Sequence, residues 1–338
     1  MFTPKSSLSP QTANLIREPI LWDNHVCLPH RPEADWFERL EAHRSAGFTM
    51  ISLNLGDAQV PFETQIRMAA HFRACIAARP DAFSLALSVA DIRRAKAEGK
   101  LAIAFDVEGA WAMDGQIDLV PIYALLGVRW LLIAYNRSNA MGGGVHDDAD
   151  PGLSPLGARL LDALDANGIV TCCSHTGYRT ARMAIDHQAE RQRTMIFSHS
   201  NVKALDDHPR NIPDTLIDAV AAVDGVIGIN GISVFLGEKQ DLISRYVDHV
   251  AYIADRVGPA HVGIGLDYVY DQDDMEAQLL AARDTWPEGF GYQPGNRYLA
   301  PGDLPHIVDQ LLMRGWSDAD VRGFLGGNFL RVAERVWK

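Results

Sequence analysis

A chain of 338 residues, 47% hydrophobic and 22% charged, has the composition of a soluble globular protein and enough length for one large buried core. Its formal net charge of −12, with no basic cluster, argues against a nucleic-acid partner. No apolar stretch reaches the roughly 20 residues of a membrane helix, the N-terminus lacks the apolar centre of a secretory signal and the C-terminus carries no anchor, so no membrane partner and a cytoplasmic location are expected. Cys27, Cys75, Cys172 and Cys173 do not form a disulfide framework.

In chain order, short apolar runs occupy 19–26, 48–55, 101–109, 128–136, 169–175, 194–200, 225–232 and 261–268. Most lack strict alternation, as strands of a parallel sheet buried on both faces do. Helical patterns fill the intervals at 33–46, 63–79, 88–98, 116–126, 154–167, 178–189, 213–223 and 239–257. Several open on a capping residue, such as Ser88, or Ser154 followed by Pro155. Eight strands alternating with helices predict an α/β fold of the (β/α)8 TIM-barrel type. An open doubly wound sheet is disfavoured, because no glycine-rich phosphate turn follows the first strand. The chain reads as one domain over 1–338, with closing helices at 301–314 and 317–335. Two long loops, 137–153 and 269–300, leave strand ends on the face where barrels build their sites; the second has room for a helix at 274–284.

The strand ends carry chemistry: Asp23, His25 and Cys27 on the first, Asp106 and Glu108 on the third, Tyr135 and Asn136 on the fourth, His175 on the fifth, Ser198 and His199 on the sixth, Asp267 on the eighth. A lone strand-end histidine is more often a hydrogen-bonded structural group than a ligand. A carboxylate such as Glu108 inside an apolar run needs a partner, and a metal is one of the few adequate ones. Three histidines and a glutamate at equivalent strand ends therefore favour a metal site for hydrolytic chemistry. Asp267 reads either as a salt-bridge or cap residue or as a proton carrier. Arg210, in DDHPRN, reads from the residues alone as a surface charge.

The runs DNHVCLP, DVEG, GVRWLLIAYNRSN, SHTG, FSHSN, DHPRNI, GIGLDY and GGNFLRV, in this order, resemble the renal or membrane dipeptidases, zinc-dependent barrels of the amidohydrolase superfamily. The resemblance implies that His25 binds one metal, that Glu108 bridges two, and that His175 and His199 bind the second. It further implies that Arg210 holds a substrate carboxylate and that Asp267 moves a proton from the attacking water to the leaving amine. Asn328 would be structural. Zinc, one or two ions per chain and two by resemblance, a small substrate bearing a carboxylate, cleavage of a dipeptide or similar amide by metal-bound hydroxide, and a homodimer are the matching expectations.

Two positions depart from the family pattern. Cys27 stands where the first-strand motif has an aspartate ligand, and Tyr135 where the family has a histidine near the substrate. Cys27 is either a thiolate ligand or a small buried apolar residue. Tyr135 either donates a hydrogen bond to an oxyanion or merely packs. Because of these changes, action on another carbon–nitrogen bond (N-acyl amino acid, imine or cyclic amide) and a catalytically silent binding protein remain the alternatives.

Overall fold

The computed structural model describes residues 8–338 apart from 33, 58, 59 and 239. The expected starts of two helices, at 33 and 239, thus lie outside the described residues. Eight parallel strands run β1 Trp22–Cys27, β2 Met50–Asn54, β3 Leu101–Val107, β4 Val128–Leu132, β5 Val170–Cys172, β6 Ile196–Phe197, β7 Val226–Ile229 and β8 Val262–Ile264. Each pairs with the next, and Asp23 of β1 pairs with Ile264 of β8, which closes the (β/α)8 barrel. Two short strands were not expected: Phe83–Leu85 beside β3, and Tyr268–Val269 beside the end of β1.

Side chains inside the barrel form layers, as closed parallel barrels require. Trp22, Met50, Ala102, Trp130, Val170 and Val226 belong to the inner cluster, whereas Ile51, Leu53, Ile103, Phe105 and Leu131 face the helices. Alternation then carries Asp106 to the inside above Ala102 and Ala104, and Asn54 above Met50 and Ser52. Strand β1 breaks the alternation. Asp23 pairs with Ile51 but Val26 with Leu53, so β1 spends three steps where β2 spends two. This bulge turns His25 and Cys27 inward beside Asn24 and leaves Val26 and Leu28 in the outer cluster.

The helices follow their local signals. Ser88 caps Val89–Glu98, and Asp91 bonds back to the Ser88 backbone, a reciprocal pair contributing about 1 kcal/mol. Ser154 caps Pro155–Ala166 by accepting from the Gly157 amide, with no return bond. A helix not expected from the pattern, Pro10–Arg17, opens with the same Ser–Pro signature at Ser9 and Pro10 and packs on the closing helices. The expected 33–46 helix is two short ones, Ala34–Glu38 and Glu41–Ser45. The final segment breaks at the Gly326–Gly327 pair, where a Cβ at Gly326 would lie 2.4 Å from the Ile20 carbonyl. Beyond it Asn328 donates to the carbonyls of Pro259 and Val262, both at 2.8 Å, and so holds the approach to β8. No helix among the described residues is long and apolar enough to cross a membrane.

Candidate metal centre

The strand ends meet at one mouth. Glu108 stands at its middle with its two oxygens divided between two groups of donors. Oε2 lies 3.5 Å from His25 Nε2, while Oε1 lies 3.3 Å from His175 Nε2 and 3.2 Å from His199 Nε2. Glu108 Oε1 is buried without a hydrogen-bond partner among the described residues, although it faces these two imidazoles. Around His25 Nε2 also gather Cys27 Sγ at 3.3 Å and Asp267 Oδ1 at 3.6 Å, with Cys27 Sγ 3.8 Å from Asp267 Oδ1. The structure therefore brings together every metal-ligating residue expected from the sequence. Asp23, the first residue of that motif, points away and instead bonds His43 and the Leu266 amide.

These separations suit a cation. Ligands at tetrahedral zinc distances stand about 3.6 Å apart for sulfur and nitrogen and about 3.4 Å apart for nitrogen and oxygen. The observed 3.3 Å and 3.2–3.3 Å values lie near those spacings. The surrounding groups fix which nitrogen faces the centre. Asn136 Oδ1 accepts from His175 Nδ1 at 2.8 Å, Ser198 Oγ sits 2.8 Å from His199 Nδ1, and Asp106 Oδ2 lies 3.3 Å from His25 Nδ1. With Nδ1 occupied in each ring, all three Nε2 atoms turn toward the centre, as outer partners of metal-binding histidines arrange. The His175 and His199 Nε2 atoms approach to 2.8 Å, two nitrogens sharing one space.

Burial and neighbours set the charges. Burial opposes ionisation of Glu108, but the imidazoles of His25 and His175 outweigh it and hold the carboxyl well below the usual carboxylate range. Burial, with Arg210 for His175 and His25 for His199, keeps those two rings neutral, the form that ligates. Burial also pushes the Cys27 thiol up to about 12 and the Asp106 carboxyl up to about 6. A bound cation reverses this logic for the thiol, which it deprotonates on coordination.

Three of the residues here adopt positive φ without being glycine: Asn136 at 55°, His175 at 62° and Asp267 at 55°. Each stands just past a strand, where the backbone turns sharply and aims the side chain across the mouth. Strain of this kind, of order 1–3 kcal/mol per residue, collects at functional sites. Asp267 is further held by Asn230 Nδ2 on its Oδ2 at 2.8 Å, which leaves Oδ1 toward the centre.

Arg210 is no surface charge: it is 3% exposed. The buried environment of the DHPRN turn was not legible from its polar composition. Arg210 Nη2 lies 2.8 Å from His175 Nε2, its Nε has no hydrogen-bond partner among the described residues, and its guanidinium sits over the Phe235 ring at 5.2 Å. Tyr135 is buried and stacks on His175, with ring centres 4.1 Å apart. Burial, then the nearby Glu108, Asp57 and Asp267 carboxylates, raises its phenol well above its ordinary value, so the hydroxyl keeps its proton. Tyr135, with Cys27, Glu108, His175 and Asp267, lines a cavity that is otherwise largely apolar, with Leu28, Val269, Met275, Leu279 and Trp286 among its walls. Sequence reasoning missed Asn230, His146, His208, Trp286 and Tyr292. The two histidines were visible in polar loops, but nothing local marked them as buried.

Fold and donors together define a (β/α)8 barrel with a candidate two-cation centre at the C-terminal mouth of its strands. The model of the membrane dipeptidase family, peptidase family M19, matches residues 37–281, and the chain belongs to that family. The matched span begins after β1, so His25 and Cys27 lie outside it. Among curated relatives, Dipeptidase tcpJ of Claviceps purpurea is 27% identical over 260 residues, 76% of this chain and 56% of that protein. The chain thus spans little more than half of that relative's length. An amidohydrolase structure from Pseudomonas aeruginosa superposes with a TM-score of 0.84 at 25% identity, covering 96% of this chain and 99% of that one. A metallopeptidase from Rhodobacter sphaeroides, solved with a phosphinate mimic of the dipeptide L-Ala-D-Ala, has a TM-score of 0.74 at 18% identity, covering 95% and 100%.

Proposed function

We propose that this protein is a zinc-dependent hydrolase that cleaves a dipeptide or a similar small amide bearing a free carboxylate. The observation that carries the reading is Arg210: a buried guanidinium with no carboxylate partner among the described residues, one nitrogen of which reaches the donor cluster. A cation in such a place is stabilised by an anion supplied from outside, and a guanidinium suits a planar carboxylate. Family membership and the dipeptidase relatives support the same reaction class.

His25, Cys27, Glu108, His175 and His199 would hold the metal, with Glu108 shared between two ions. A thiolate among imidazoles favours zinc over magnesium or manganese. Zinc when bound polarises the scissile carbonyl and makes water nucleophilic near neutral pH. The protein does the rest. Arg210 fixes the substrate carboxylate. Asp267 Oδ1 takes the proton of the attacking water and returns it to the leaving amine, its other oxygen kept in place by Asn230. The protonated Tyr135 hydroxyl donates toward the oxyanion that develops on the carbonyl. The four free cysteines fit a reducing, cytoplasmic setting.

A panel of dipeptides and N-acyl amino acids, assayed with zinc-replete protein, tests the reaction, and a blank panel at full zinc occupancy would refute it. Arg210→Met is expected to raise KM by about 30-fold or more with a smaller change in kcat, because one partner of a buried charge pair is removed. Arg210→Lys does not restore it, since an ammonium lacks the planar fork. Cys27→Ser is expected to lower bound zinc from two toward one per chain by plasma mass spectrometry. In cobalt-substituted protein it should also abolish a thiolate-to-metal charge-transfer band. Unchanged metal content and spectrum would make Cys27 a packing residue.

A further inference from the structure

The segment 283–292 lies over the mouth, with Glu288–Phe290 as its one short helical turn. Groups at the strand ends set its position. Asn136 Nδ2 donates to the Thr285 carbonyl at 3.2 Å, and Arg137 Nε donates to the Asp284 carbonyl at 2.5 Å. His146 Nε2 pairs with the Tyr292 hydroxyl at 2.9 Å, and His208 Nε2 donates to the Phe290 carbonyl at 2.8 Å. His208 and His146 are kept neutral by burial, with His208 lowered to about 4 and His146 to about 3, so these contacts persist at ordinary pH.

Two of the contacts run straight on into the site. The Thr285 carbonyl accepts from Asn136 Nδ2, so the amide presents its NH2 there. Its Oδ1 then faces His175, whose Nδ1 must carry the hydrogen. The lone pair of His175 Nε2 is thereby directed at the cluster. Likewise His208 donates to Phe290 through Nε2, which leaves Nδ1 to accept from the Arg210 amide at 3.0 Å. A third link is apolar: Trp286 meets the Tyr135 ring edge-on at 6.2 Å, and Tyr135 stacks on His175. Asn136 is fully buried and held at positive φ, and its own carbonyl accepts from the His146 amide at 2.8 Å.

We propose that Asn136 is a positioning residue that couples the covering segment 283–292 to the His175 imidazole, so that closing the segment and preparing His175 as a ligand are one event. The coupling rests on the metal-site reading above; the latch between Asn136 and Thr285 does not. Coupling is reciprocal: metal bound at His175 must steady the segment by the same factor as the docked segment tightens the metal.

Hydrogen exchange of peptides covering 283–292, with and without zinc, tests this in the wild type, Asn136→Asp and Arg283→Met. An aspartate still accepts from His175 Nδ1 but has no hydrogen for Thr285. Arg283, the first residue of the segment, ties its two ends together by donating to the Tyr292 carbonyl at 2.7 Å. In metal-free protein, Asn136→Asp is expected to speed exchange in 283–292 by about 10-fold or more while β3 peptides, in the stable core, stay unchanged. Zinc slows that exchange in the wild type and not in Asn136→Asp. Arg283→Met loosens the segment and weakens zinc by about 5-fold or more, an effect that a structural role alone would not produce. Wild-type exchange in metal-free Asn136→Asp overturns the latch. A loosened Arg283→Met with wild-type zinc affinity, or zinc bound with no effect on the segment, overturns the coupling. Failure of every form to bind zinc would refute the metal reading instead and the coupling with it, while the metal-free comparison still decides the latch.

Discussion

Glu108→Gln is expected to reduce bound zinc from two per chain to one or fewer and to lower kcat/KM by on the order of 10³-fold or more, with the barrel intact. The two side chains have nearly the same shape, so packing hardly changes. The chemistry at the centre changes completely. Glu108 offers an oxygen to His25 on one side and to the His175–His199 pair on the other, at 3.2–3.5 Å. Glutamine has one oxygen and one NH2, so one of the two clusters faces a donor that cannot ligate. It also removes the negative charge that would balance bound cations in a buried place. Plasma mass spectrometry with circular dichroism separates the outcomes: native dichroism with depleted zinc is expected, and native dichroism with two zinc ions would show that Glu108 bridges nothing.

Gly265→Ala is expected to destabilise the protein by roughly 3 kcal/mol or more, through overpacking that has no flexible neighbour to absorb it. A Cβ at Gly265 would stand 2.0 Å from the Ser198 carbonyl oxygen and 3.2 Å from His199 Cα. Gly228 crowds the same carbonyl from β7, where its Cβ would come within 2.1 Å. Both glycines let backbone pass close to the residues that carry His199. Denaturant titration should show a lower midpoint, and whatever folded protein remains should bind zinc more weakly, because the obstruction acts on the chain at His199. A wild-type midpoint would mean that the barrel can spread at this point without loss.

Some of this was legible in the linear chain because its cause is local. Apolar runs and capping serines mark strands and helices by their own chemistry, and their alternation leaves a closed barrel as the economical arrangement. Glu108 betrayed itself as a carboxylate set in an apolar run. The helix Pro10–Arg17 was equally legible, since Ser9 and Pro10 repeat the signature of Ser154 and Pro155, but it lay outside the strand–helix alternation. The split of 33–46 into two helices was not legible, because apolar periodicity is blind to a short break.

What the sequence determined by itself was therefore the order of elements and the kinds of donor that each strand end carries. Only the tertiary structure decided where those donors point. Strict alternation from Trp22 would have turned His25 and Cys27 out of the barrel, and the β1 bulge, a matter of pairing with β2, turns them in. Arg210 is buried beside Phe235, and the orientation of His175 depends on a carbonyl 149 positions from Asn136. Direction and burial are properties of neighbours brought together by closure of the barrel, and no window of sequence contains both members of such a pair.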